Sequence, residues 1–283
     1  MKRTSNILVP IDFSPCSENA LAFAIQLSDK IKANLLLLNV PHLDVSKMEN
    51  PISASREVEE KIRYSKKRIV EVFNKVAESV HATLDEVPSF ITNIEIGKVE
   101  VTISEVAVRN KADYIVMGTQ GENSTLDKYL GSVASNVLKN SPCSVIVVPK
   151  KSKFIKKAAI AYATDFSEAD PFEIWKTIKL FKPFQPEIKC VHFNQNQDNN
   201  DAKIKELEFY FSETAPELKV EFYDLPVNDK VEDMNDFIDD HNITMLVMYK
   251  PKRTFFESIF HESYTQKMAK RTTIPLLVLK EKN

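Results

Sequence analysis

The sequence predicts an α/β protein of two tandem domains, each a parallel β-sheet with helices on both faces. Three observations predict it. Short β-branched and leucine-rich runs alternate with stretches of helical period. The strand runs have no polar alternate face, the mark of sheets buried on both sides. The pattern then begins again halfway along a chain of 283 residues that is 43% hydrophobic, long and apolar enough for a core in each half.

The first strand is "NILVPID", residues 6–12. "SPCSENALAFAIQLSDKI" (14–31) reads as a helix with Ser14 as N-cap and Pro15 in its first turn. "NLLLLNV" (34–40) is the next buried strand. A second helix is predicted over 57–80, where Ile62, Ile69, Phe73, Val76 and Val80 recur at spacings of three, four and seven. The polar segment "SKMENPISASREVEEK" (46–61) is expected at the ligand end of the sheet, as a lid or as a loop leading into that helix. Strand 91–97, helix 101–111, strand 113–118, helix 132–140 and strand 144–149 complete the unit.

The restart can be checked by register. "DFS" at 12–14 returns at 165–167, an offset of 153, and the same offset lays "LLLLNV" (35–40) over "IKCVHF" (188–193). Farther on, "IVMG" (115–118) lies over "LVMY" (246–249) and "SVIVV" (144–148) over "PLLVL" (275–279), both at offset 131. The second copy is therefore shorter by the difference, 22 residues, lost between its second and third strands. The basic stretch "KKSKFIKK" (150–157) is the predicted linker, giving domains 1–150 and 151–283.

Composition narrows the function classes. With 38 basic and 40 acidic side chains the net charge is -2, so no overall field recruits nucleic acid or an anionic membrane. The longest apolar runs fall far short of the about 20 residues a membrane span needs, and "MKRTSNILVPID" has no signal-peptide core. Three scattered cysteines, Cys16, Cys143 and Cys190, suit a reducing compartment better than a disulfide framework. A cytoplasmic location is expected. The five histidines show no metal-site spacing to one another or to a cysteine, so no metal site is predicted.

Three of the chain's four glycines stand in "GTQGENSTLDKYLGS", residues 118–132. In an open parallel sheet, ligands sit beyond the carboxyl ends of the strands, where the strand order reverses. Strand 113–118 ends at Gly118, and Gly131-Ser132 opens the next helix, so this loop is expected over that crevice. A helix N-terminus offers unpaired N–H groups and partial positive charge, which suits phosphate. Each residue also has a plain reading. Asp12 could cap a helix start, as its echo at Asp165 suggests; Gly118 and Gly131 could be turn glycines; Ser132 could be an N-cap. Cys16, His42 and His192 read first as packing or ordinary structure.

Gly118-x2-Gly121-x9-Gly131-Ser132 matches the G-x2-G-x9-G-[ST] signature of the universal stress protein family. "DYIVMGTQG" and "YLGSVASNVLKNSPCSVIVVP" resemble that family over the last third of its domain, and the likeness spans residues 5–150. The resemblance implies Rossmann-like domains, each a five-stranded parallel sheet of order 3-2-1-4-5. It implies ATP, with Mg2+ accompanying the nucleotide, bound in the first domain by Pro10, Ile11, Asp12, Val40, Met117, Gly118, Gly121, Gly131, Ser132 and Val133. Asp12 would face the ribose or adenine side, Val40 would offer main-chain groups to adenine, and the glycines with Ser132 and Val133 would hold ribose and phosphates.

The first domain departs from the family pattern at Gln120, where ATP-binding members often carry His, and at Glu122, a carboxylate beside the expected phosphates. The second departs further, with Tyr249, Lys252 and Glu262 standing where Gly118, Gly121 and Gly131 stand in the first. That domain is read as degenerate and free of nucleotide. No Walker lysine motif or nucleophile elbow occurs in the chain. A nucleotide-dependent binding protein of the stress response is expected, with unidentified protein partners. A stress scaffold that binds no nucleotide, and an enzyme using ATP as substrate, stay open as alternatives. The resemblance also implies an intramolecular pseudo-dimer of the two domains through "SVIVVP" and "PLLVLK", and leaves a further homodimer open.

Overall fold

A computed structural model of the chain describes residues 4–48, 50–81, 84–121, 130–154, 157–194, 199–226, 228–250 and 264–281. The chain divides into two compact units, Met1–Lys151 and Ser152–Asn283.

In the first unit β1 (Asn6–Pro10), α1 (Pro15–Ile31), β2 (Asn34–Asn39), α2 (Pro51–Val80) and β3 (Phe90–Ile94) are followed by α3 (Val99–Arg109), β4 (Tyr114–Gly118), α4 (Ser132–Asn140) and β5 (Ser144–Val148). The strands stand in the order β3-β2-β1-β4-β5, every neighbour parallel. Helices α1 and α2 pack on each other, as do α3 and α4. Ile7 to Val9, Leu35 to Leu38, Ile115 and Val145 to Val148 are all buried, which is why the strand runs carry no polar face.

Local signals set the element ends. Ser14 caps α1 by accepting from the Ser17 N–H at 3.1 Å, and Pro15 follows as the first helical residue. The α1 carboxyl end closes on Lys32 at φ 53, with Ala33 N–H donating to the Ser28 carbonyl. Helix α2 begins at Pro51, earlier than the periodicity predicts. Asn50 and Ser53 form a reciprocal capping box there, so residues 51–61 are helix rather than loop. Helix α4 is capped by Gly131, which makes Ser132 its first helical residue and not its N-cap.

The second unit repeats the plan. β6 (Ala159–Ala163), α5 (Asp170–Phe181), β7 (Glu187–Asn194), α6 (Asp201–Thr214) and β8 (Lys219–Pro226) lead to α7 (Lys230–Asp240), β9 (Met245–Lys250), α8 (Tyr264–Arg271) and β10 (Leu276–Lys280). Its parallel order, β10-β9-β6-β7-β8, is the same topology read from the other edge. Helix α6 has 14 residues where α2 has 30, so the shorter second copy has lost mainly helix. The turns after β1 and β6 repeat in detail: Phe13 and Phe166, the middle residues of the two "DFS" triplets, both adopt positive φ, at 67 and 55 degrees. A left-handed phenylalanine is uncommon, and its presence twice marks one inherited turn.

Candidate functional site

A cleft of about 710 Å3 opens at the carboxyl ends of β1, β2 and β4 in the first unit, where the strand order reverses. All ten residues predicted from the sequence line it: Pro10, Ile11 and Asp12 after β1, Val40 after β2, Met117 and Gly118 at the end of β4, then Gly121, Gly131, Ser132 and Val133. Helices contribute walls that the sequence reading did not assign. Lys61, Tyr64 and Ser65 come from α2, and Val99 and Ile103 from α3. Their signal was weak, because Lys61 and Tyr64 lie off the apolar stripe that revealed α2.

The three loop glycines have three different neighbours. Neither Gly118 nor Gly131 has positive φ, so no left-handed turn requires glycine at either. A Cβ on Gly118 would lie 2.7 Å from Cys16 Sγ and 3.0 Å from the Cys16 carbonyl carbon and oxygen. Its bareness lets α1 pack against the end of β4, while the residue also lines the cleft. On Gly121 a Cβ would meet Asp12 Oδ2 at 2.9 Å, so this glycine lets the loop close over the aspartate. Gly131 is different. A Cβ there would lie 3.4 Å from Thr119 O and 3.7 Å from Gln120 Cα, ordinary contact, and its φ of -62 suits any residue. Nothing in the fold of the described residues demands glycine at 131.

Asp12 does two things. Its Oδ1 accepts from the Ser14 N–H at 3.0 Å, a turn leading into α1, whose cap is Ser14 and not Asp12. The same carboxylate lies against Gly121 in the cleft wall. The loop base is pinned where Gly131 N–H donates to the Thr119 carbonyl at 2.7 Å. Beyond that bond α4 begins without a side-chain cap among the described residues. The amides of Ser132, Val133 and Ala134 occupy its first turn, where no acceptor exists within a helix. They give that end of the cleft donors and partial positive charge. Among the described lining residues Lys61 is the one lysine or arginine; its Nζ lies 3.9 Å from the buried Glu57 carboxylate. An anion here would be held chiefly by main chain. Cys16 is buried, with Sγ 3.7 Å from Thr119 Oγ1, a packing residue as expected. Glu122, expected beside the phosphates, lies outside the described residues.

The corresponding end of the second unit has opposite electrostatics. Tyr249, which replaces Gly118, is half-buried, and burial, followed by the charges of Glu173, Glu281, Asp170 and Asp165, pushes its hydroxyl pKa up. Asp170 is buried and accepts from Tyr162 Oη at 2.9 Å, from Thr164 Oγ1 and from the Ser167 N–H. Glu173 is buried beside Lys176, with Oε2 left without a partner. Burial raises the pKa of both carboxyls. Four acidic side chains around one strand end, two of them held toward the neutral form by burial, are poor neighbours for a polyphosphate. Lys252 and Glu262 lie outside the described residues. His192 is held by Asp224 at 2.7 Å and lies against Phe166 with the rings tilted by 37°, as ordinary structure would have it. Among the described residues there is no group of three His, Cys, Asp or Glu that could hold a metal, and no helix long and apolar enough to cross a membrane.

Comparison with known proteins places these features. The model of the universal stress protein family matches residues 4–149. A universal stress protein of Methanocaldococcus jannaschii is 32% identical over 153 residues, covering 52% of this chain and 83% of the relative. A second from the same organism is 27% identical over 154 residues, 52% of this chain and 95% of that protein. The crystal structure of a universal stress protein from Archaeoglobus fulgidus superposes with a TM-score of 0.75 at 18% identity. It covers 98% of this chain and 99% of its own, so the fold extends through both units.

Proposed function

For a chain that belongs to the universal stress protein family, we propose that the first unit binds ATP and that the protein acts as a nucleotide-dependent binding protein in the stress response. The observation that carries this reading is the start of α4. Among the described residues the first turn of α4 has no side-chain cap, and it lines the cleft beside Gly131, where a Cβ would meet only ordinary contacts. A bare backbone that packing leaves free is what a phosphate needs in order to touch main-chain N–H groups.

The residues present fit the nucleotide. Ser132 and Val133 would take phosphate oxygens on their amides. Asp12, in the cleft wall, is an acceptor of the kind ribose hydroxyls need. Val40 would meet adenine with main-chain groups, and the apolar side chains of Ile11 and Met117 suit its faces. Mg2+ would arrive on the phosphates, which commonly supply much of its coordination. The nucleotide would supply no chemistry to this chain beyond occupancy; its presence or absence would set the contacts the protein makes with partners.

The second unit would bind none, because acidic side chains surround Tyr249, which stands where Gly118 stands in the first. Equilibrium dialysis with labelled ATP tests the reading. Saturable binding that Gly131→Val weakens at least tenfold supports it, and no saturable binding refutes it. Phosphate release measured alongside separates a binding protein from an enzyme that turns ATP over.

A further inference from the structure

Helix α6 is lightly packed. Of its 14 residues only Phe211 is buried, with its ring 6.2 Å from that of Phe222 on β8. Helices in folded proteins draw most of their stability from an apolar face packed on something else. On α6 large aromatic side chains meet solvent instead: Phe209 is 68% exposed and Tyr210 39%. In the first unit the corresponding helices, α1 and α2, pack on each other. Here α5 and α6 leave between them a groove of about 450 Å3, walled by Phe172 and Trp175 on α5 and by Leu207 and Tyr210 on α6. Phe172 is itself 64% exposed. Exposed apolar patches rimmed by polar residues mark interaction surfaces, and aromatic rings are their commonest anchors.

The charges that line the groove are mixed. On α5, Lys176 pairs with the buried Glu173 at 2.7 Å and lies over the Phe172 ring. Lys179 lies over the Trp175 ring, 5.5 Å from its centroid, and no carboxylate among the described residues pairs with it. Two acids share the lining, Glu168 just before α5 and Glu206 on α6, and neither pairs with a described lysine, arginine or histidine. A partner of one sign would suit either Lys179 or the two glutamates but not both. A surface with unpaired charges of both signs around a set of aromatic rings is complementary to itself. A twofold axis along the groove lays α5 of one copy over α6 of the other, so that Lys179 of each copy faces the helix that carries Glu206 in the other and every contact is made twice.

We propose that this groove is the interface between two copies of the chain, with the rings of Phe172, Trp175 and Tyr210 at its centre and Lys179–Glu206 pairs at its rim. It stands apart from the ATP reading, which concerns the first unit.

Sedimentation velocity of the whole chain without nucleotide, over a range of concentrations, tests it. Trp175 is the chain's one tryptophan, so its emission, followed over the same range, reports on the groove alone. The parent should form a dimer, and the emission should move to shorter wavelength over the same concentrations as the ring leaves water. Phe172→Glu, at an exposed position, should weaken the dimer at least tenfold. Lys179→Glu should weaken it too, and Lys179→Glu combined with Glu206→Lys should recover part of that loss, because each reversed charge again meets its opposite. A parent that stays monomeric to its limit of solubility overturns the proposal. So does a dimer that leaves the Trp175 emission unmoved or that Phe172→Glu leaves intact, because its contact then lies on another face. A double variant no tighter than Lys179→Glu alone overturns the twofold pairing.

Discussion

Gly118 and Cys16 are packed so closely that a Cβ on the glycine would lie 2.7 Å from the cysteine sulfur. The contact joins the end of β4 to the first turn of α1, with Cys16 Sγ also 3.8 Å from the Val148 carbonyl at the end of β5. Gly118→Ala should therefore destabilise the first unit by about 1–3 kcal/mol, the usual cost of overpacking a filled core. Adding Cys16→Ala should restore part of that loss, because the sulfur is the closest clash while the cysteine main chain, at 3.0 Å, remains. Urea unfolding of the two variants measures this; an unchanged midpoint for Gly118→Ala would remove the packing explanation.

Gly131 should behave in the opposite way. A Cβ there meets only ordinary contacts among the described residues. Gly131→Val should therefore lower the unliganded stability by no more than about 1 kcal/mol, the scale of an N-cap substitution. It should weaken ATP at least tenfold, about 1.4 kcal/mol. Thermal unfolding with and without nucleotide separates the two effects. A large loss of stability with unaltered affinity would mean that the phosphates lie elsewhere.

The buried acids of the second unit predict a pH dependence. Burial is the main cause that raises the Glu173 pKa above its ordinary value. A carboxyl with a raised folded pKa costs nothing below its unfolded value, about 4.3 for glutamate. The cost of ionising it in the fold grows as pH rises from there through the folded pKa, and is complete above that. Glu173→Gln should thus gain stability relative to the parent as pH rises from 4 to 8, with the gain vanishing at the acid end. Denaturant unfolding at several pH values reads it. A gain that shrinks toward pH 8 would contradict the assignment.

Much of this was legible in the sequence for definite reasons. Ser14 and Pro15 announce α1, and the unbroken apolar runs announce the strands, because caps and burial act locally. The start of α2 was not legible from its period. Its N-terminal half buries Glu57 and Ser65 rather than an apolar stripe, and the cue that did exist was the Asn50-Pro51 pair. Glycine spacing located the cleft but could not divide the work among the glycines. That division depends on Cys16 and Asp12, brought to the loop only by the fold. The α2 wall at Lys61 and Tyr64, and the groove between α5 and α6, needed the tertiary structure for the same reason.

The first unit offers first-turn amides beside a bare glycine, while in the second acidic side chains surround the strand end at Tyr249. Titration calorimetry of the whole chain with Mg-ATP tests that contrast most directly. One site per chain, abolished or weakened at least tenfold by Gly131→Val, is the predicted result. Two equivalent sites, or a single site that Gly131→Val leaves unaltered, would contradict it.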